Sequence, residues 1–230
     1  MIIVANISQF LLWILYITLP IIVLYILYLL LTKAFSYMGF TSWEAILIVF
    51  ISFIFDFDIV FLGFNISNIY LFSYNNWNVG INTGGALIPI FLSIYLCYKK
   101  KLPIKKLIIG ILIVTFIAFL VTSPDPNKGI VAKLPIGLLP AFSASILSIF
   151  FLFKDFKKAA PFAYIAGTLG VLIGADFLHI YELLSFEIDK PINAIIGGAN
   201  VFDMVYITGI VAVILDGIIL FKQRFKKDNN

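Results

Sequence analysis

Phe10 to Thr32 reads FLLWILYITLPIIVLYILYLLLT, an apolar run without one charged residue. At ~1.5 Å rise per residue a helix of this length crosses the ~30 Å hydrocarbon core of a bilayer. The first charge after Met1 is Lys33. A cleavable signal peptide has a basic start, a shorter apolar core and a small-residue cleavage site; the stretch has none of these and is expected to be retained as a first spanning helix.

The rest of the chain has the same make-up. Hydrophobic residues form 62% and charged residues 12% of the 230 positions, and mean hydropathy is +1.09. A water-soluble domain runs about 45–50% apolar and about 25% charged, so the fold class expected is an all-α integral membrane protein. Disordered, coiled-coil, collagen-like and disulfide-scaffold classes are excluded on the same grounds. A nucleic-acid binder is excluded too: the basic residues sit in short loop clusters and form no long stripe. Cys97 is the single cysteine and has no internal partner.

Working outward, Lys33 to Glu44 (KAFSYMGFTSWE) reads as an interfacial turn with aromatic anchors. Ala45 to Phe55 is only half a span, and the helix is expected to continue through Asp56 and Asp58 to about Phe64. Residues 59–82 are rich in Asn (Asn65, Asn68, Asn75, Asn76, Asn78, Asn82), and IVFLGFN and NIYLFSYN are strand-like, so a small hairpin is expected there. The remaining spans are Thr83 to Tyr98, Leu107 to Val121, Leu134 to Phe153, Ala160 to Leu183 and Ala194 to Phe221. Seven helices result, in one membrane domain over 1–230.

The charges test that count. With the amino terminus outside and the carboxyl terminus inside, the inner segments hold Lys33, Lys99, Lys100, Lys101, Lys105, Lys106, Lys154, Lys157, Lys158, Lys222, Arg224, Lys226 and Lys227. Only Lys128, Lys133 and Lys190 fall outside, as the excess of Lys and Arg in cytoplasmic loops requires. The cell membrane is the location expected, with membrane lipids as partners, nucleic acid excluded, and a homo-oligomer compatible with the sequence.

Ionisable groups inside a span cost roughly 2.5–3.5 kcal/mol each and mark function by default. Three carboxylates qualify: Asp176, Asp203 and Asp216. Asp176 and Asp203 fall at similar depth on helices joined by about ten residues, so the pair is expected to meet. Gly167, Gly170 and Gly174 form a small-residue face for close packing against one neighbour, and Asp176, about 200° round from Gly174 at ~100° per residue, is expected to address another. His179 and Glu182 climb from Asp176, and Asn200, Asp203 and Tyr206 form a polar stripe on the last helix. Asp216 is expected near the inner interface, beside the basic tail. Asn82, Gly84 and Gly85 echo Asn193, Gly197 and Gly198; both GGA elements are expected to open helices, where exposed N–H groups favour anions, and Pro89 is expected to kink its helix. No metal site is expected, since no HExxH or Cys/His cluster accompanies the single histidine, and no cofactor motif is present.

The stretches GTLGVLIGADFL (Gly167 to Leu178), GGANVFDMVYITGI (Gly197 to Ile210), NTGGALIPIFLSIYL (Asn82 to Leu96) and SPDPNKGI (Ser123 to Ile130) resemble an archaeal and bacterial multi-pass membrane family designated a domain of unknown function. That resemblance implies a membrane protein over roughly residues 40 to 220. Phe202-Asp203 and Gly174-Ala175-Asp176 are partly similar to the two aspartate motifs of presenilin and signal-peptide-peptidase intramembrane proteases. Here the glycine-associated aspartate comes first, and Ala175 replaces the glycine before it.

Three functions compete. In the first, Asp176, His179, Asn200, Asp203 and Tyr206, with the two glycine elements, line a proton- or cation-coupled transport site or a small-ligand site. In the second, Asp176 and Asp203 share acid and base roles in an aspartyl hydrolase. In the third, the polar residues lock helices together in a non-catalytic lipid-binding or assembly module.

Overall fold

The computed structural model describes residues 2–55, 57–152, 155–198 and 204–228. The chain is mostly helical, 69%, in seven helical rods. α1 is Ile2–Met38, α2 Ser42–Ile54, α3 Ile88–Lys100, α4 Ile104–Val121 and α5 Leu139–Leu152. α6, Phe156–Val171, runs through a π-helical turn, Leu172–Phe177, into α7, Leu178–Leu184; α8 is Met204–Asp228. Three rods are long and apolar enough to cross a membrane: Leu12–Met38, Ile104–Val121 and Lys157–Leu184.

The all-α expectation is corrected, because seven short strands sit in the connections. β1 (Val60–Phe61) pairs with β2 (Phe64–Asn65), and β3 (Asn68–Tyr74) with β4 (Trp77–Asn82). β5 (Thr122–Asp125) pairs with β6 (Gly129–Ala132), and β7 (Ile192–Ile196) adds parallel to β4. The hairpin expected within 59–82 is present. Its turn is Asn75–Asn76, with φ of 45° and 64°; asparagine tolerates this left-handed backbone, and a two-residue turn of that hand matches strand twist.

Two span boundaries are corrected as well. α2 opens on a capping box, Thr41 with Glu44, but stops at Ile54 instead of running to about Phe64. Downstream, side chains capture the backbone: Asp58 accepts from the amides of Asn65 (3.1 Å) and Asn68 (3.0 Å), and Ser67 Oγ donates to Phe57 O. Such local bonds offer the chain an alternative to helix. At the other end, Ala194 to Ile196 extend along β4 in place of opening a helix. Among the described residues α8 begins at Met204.

Small residues set the packing of the bundle. A Cβ on Gly170 would lie 2.6 Å from Val114, and one on Gly174 would lie 2.3 Å from Thr115 O, so α6 and its π-turn lie against α4. Gly167 meets Thr208, and Gly209 meets Thr168 and Tyr164, so α6 also packs on α8. The three glycines all pack closely, but against two neighbours instead of the one expected, Gly167 on α8 and Gly170 and Gly174 on α4; α6 and α8 are neighbours. Pro89 makes no kink; it sits in the first turn of α3, where its missing N–H costs nothing. A second apolar cluster, with Trp77, Val79, Leu172, Ala175, Ile196 and Val205, joins the three-stranded sheet to the bundle. Trp77 Nε1 donates to Phe186 O at 3.1 Å, which satisfies the polar end of a ring that is otherwise fully buried.

Candidate functional site

The two glycine elements meet. A Cβ on Gly85 would lie 2.0 Å from Gly197 O, and one on Gly197 would lie 2.6 Å from Ala86 Cβ. The reason is topological: β4 and β7 are parallel, in register from Trp77↔Ile192 to Ile81↔Ile196, and each delivers its glycine pair at the same edge. Beyond the strands the elements differ. Gly84 and Gly85 open a π-turn, Thr83–Leu87, whose Gly85 N–H is capped by Asn82 Oδ1 at 2.7 Å. Gly197 and Gly198 open no described helix; Gly197 turns the chain with φ +65°, a conformation that costs other L-residues about 1–2 kcal/mol.

Asp176 completes this locus. It sits in the π-turn 172–177, and its Oδ2 accepts from Gly197 N at 2.8 Å. π-Turns are rare and concentrate at functional sites; both described π-turns border the glycine contact. Asp176 therefore ties the end of β7 to the α6–α7 rod. The carboxylate is half-buried and lines two clefts. One, of about 280 Å³, also takes Trp77, Lys128, Ile180 and Asn193. The other, of about 220 Å³, takes Thr122, Leu138, Met204 and Thr208. Ile130, on β6, stands with Asp176 between them. Asp125 Oδ1 holds the β5–β6 turn by accepting from Asn127 N (2.8 Å) and Lys128 N (3.1 Å), and that turn borders the first cleft.

A polar chain runs away from the glycine contact. Asn82 Nδ2 donates to Asn68 Oδ1 at 2.8 Å, and Asn68 Nδ2 donates to Asp58 at 3.0 Å. Asn82 is thus a buried brace between the sheet, α2 and Gly85.

The remaining sequence-derived residues divide sharply. Asn200 and Asp203 lie outside the described residues, as does the side chain of Tyr206, so the Asp176–Asp203 meeting is outside them too. His179 lines neither cleft. It is 4% exposed, stacks on Phe119 with ring centroids 4.5 Å apart, and makes a 3.1 Å contact from Nε2 to Phe119 O. It joins α7 to α4. Gly198 lines the first cleft, and Gly84 packs against Ser52 O. Among the described residues no group of three His, Cys, Asp or Glu could hold a metal.

Asp216 requires a correction. It is fully buried, not interfacial, and Ser148 Oγ donates to its Oδ1. At ~1.5 Å per residue it lies about 18 Å along α8 from Met204, deep among α5, α6 and α1. Lys128, Asn193 and Trp77 were also missed as site residues. Their only signal was membership of the outer loops, since the register that gathers them is tertiary.

No curated protein and no solved structure matches the chain, so the partial likeness to intramembrane aspartyl proteases gains no support. A family model does match, over residues 46–215, which takes in both glycine elements, the Asp176 turn and the chain from within α2 to about the middle of α8. The chain belongs to DUF1614, a family described as a protein of unknown function.

Proposed function

We propose that the protein is a multi-pass protein of the cell membrane that binds a small cation or cationic ligand at Asp176, with proton uptake and release by that carboxyl coupled to binding or transport. The membrane placement is supported by inverted burial: large apolar side chains such as Leu12, Leu24, Phe91, Leu112, Phe116 and Phe150 are exposed on the helices. Aqueous proteins do not leave so large an apolar surface uncovered. Lysines cluster at the α3–α4 and α5–α6 connections and in the last turns of α8, and the strands occupy the opposite connections. By the charge rule the sheet end is outside and the carboxyl terminus inside.

The observation that carries the reading is the carboxylate of Asp176 on the wall of two clefts, within an apolar bundle. The Asp176 carboxylate accepts from Gly197 N–H, and an ionised carboxylate offers about four lone-pair sites in all. Each cleft adds neutral oxygens of the kind that cations accept, Asn193 in the first and Thr122 and Thr208 in the second. An aspartyl hydrolase would need a second carboxylate beside Asp176; the sequence offers Asp203, outside the described residues. Ligand binding is therefore the reading that the described geometry supports.

The test is flux in proteoliposomes holding a pH-sensitive dye, with sodium or potassium gradients imposed in turn. The wild type should move protons in response to one of them, and Asp176→Asn should not. Identical traces for wild type, Asp176→Asn and protein-free vesicles would refute coupled transport.

A further inference from the structure

At the other end of the bundle, α3, α4 and α6 enclose a groove of about 690 Å³. Ile94, Leu107, Ile111, Ile165 and Leu169 make an apolar wall. Lys99 and Lys101 stand at the mouth with Tyr98. Lys99 Nζ donates to Tyr95 OH at 2.5 Å and lies 4.9 Å from the Tyr95 ring centroid. That hydrogen bond holds its ammonium above the usual lysine range, so the mouth carries a fixed positive charge. The first turn of α4 opens beside it after Pro103 with no side-chain cap, and unpartnered N–H groups at a helix start favour anions. Inside the groove Ser93 is 1% exposed, and its hydroxyl has no hydrogen-bond partner among the described residues.

We infer that this groove is a site for one anionic phospholipid of the inner leaflet. The phosphate lies between Lys99, Lys101 and the first turn of α4, and an acyl chain runs along Ile94, Leu107 and Ile111. Charge complementarity chooses the occupant: a zwitterionic lipid brings its own ammonium to a mouth that is already cationic, whereas an anionic one gains roughly 1 kcal/mol per nearby lysine, equivalent to about fivefold in affinity. The site shares only the membrane placement with the Asp176 reading.

The experiment is native mass spectrometry of the full chain in detergent, titrated with phosphatidylglycerol or with phosphatidylcholine of the same chains. Phosphatidylglycerol should be retained about tenfold better. Lys101→Asn removes charge while keeping a residue that accepts the left-handed φ of 49° at that position; it should weaken retention about fivefold. Ile94→Trp, at an exposed position, should fill the groove and abolish retention, with helicity and thermal unfolding in lipid-free detergent unchanged. Asp176→Asn should retain the lipid as the wild type does, so that failure of either proposal leaves the other testable. Equal retention of the two lipids overturns the inference. Loss in Lys101→Asn without loss in Ile94→Trp also overturns it, because the lipid would then sit on the surface rather than in the groove.

Discussion

Gly85 and Gly197 touch backbone to backbone: a methyl on Gly85 would lie 2.0 Å from the Gly197 carbonyl oxygen. These residues stand at the ends of two parallel strands, and the contact brings the Asp176 turn, the sheet and the start of α3 to one point. Gly85→Ala should therefore force the strand ends apart and lower stability by about 1–3 kcal/mol, some 2–12 °C in thermal unfolding for a chain of this size. Gly197→Ala should cost more, since it adds a left-handed backbone to the clash. Gly129→Ala, with φ +75° but nothing near its Cβ, is the control for backbone strain alone. Scanning calorimetry should give the largest loss for Gly197→Ala, a smaller one for Gly85→Ala and the smallest for Gly129→Ala.

Asn82 braces the same junction. Asn82→Ala removes the cap on Gly85 N and leaves the Asn68 carbonyl without its donor. Stability should fall by about 1–3 kcal/mol, and amide exchange at Gly85 should accelerate more than exchange in α6.

Much of the helical frame is legible in the sequence because it follows from composition. Long apolar runs need no partner to be recognised, and α4 and the α6–α7 rod begin and end close to their expected limits, whereas α1 runs from Ile2 to Met38, past the expected Phe10 to Thr32 and into the segment expected as an interfacial turn. The hairpin turn at Asn75–Asn76 is equally local. β7 was not legible: Ile192 to Ile196 is as apolar as any helix start, and its partner strand lies 115 positions away. Asp216 was misplaced for a related reason. Counting from the basic tail puts it near water, but Ser148 on another helix buries it. The glycine echo was visible as a pattern, whereas the contact between its halves needs the β4–β7 register.

Ser148 and Asp216 form a buried polar pair in the bundle. Asp216→Asn keeps an acceptor for the Ser148 hydroxyl and should shift thermal unfolding by only a few degrees. Asp216→Leu removes that acceptor, leaves Ser148 to donate to Ser145 O alone, and should cost about 1 kcal/mol. Comparable unfolding temperatures for the two variants would show that the pair contributes little.

The entry to α2 should respond to acid. Hydrogen bonds from the Thr41 backbone N–H and hydroxyl hold the Glu44 carboxyl below its ordinary value of 4.5. A depressed folded value means that the stabilisation is present above pH 4.5 and is lost as pH falls through the folded value. Amide exchange in the first turn of α2, corrected for intrinsic rate, should rise below pH 4.5. Thr41→Ala should raise it about fivefold at neutral pH and remove most of the acid response.

His179 is read as a brace between α7 and α4. His179→Phe keeps the stack on Phe119 and loses the contact with Phe119 O, so stability should drop by about 1 kcal/mol. The proton response of reconstituted vesicles should persist. Its loss in a folded His179→Phe variant would move His179 into the functional site.

Asp176 is the centre of the account, and infrared titration tests it most directly. Difference spectra of the reconstituted protein between acid and neutral pH should contain a reversible carboxyl band that Asp176→Asn removes, and that shifts when the coupling cation is added. A spectrum unchanged by Asp176→Asn across the whole titration would contradict the claim that this carboxyl meets water and exchanges a proton.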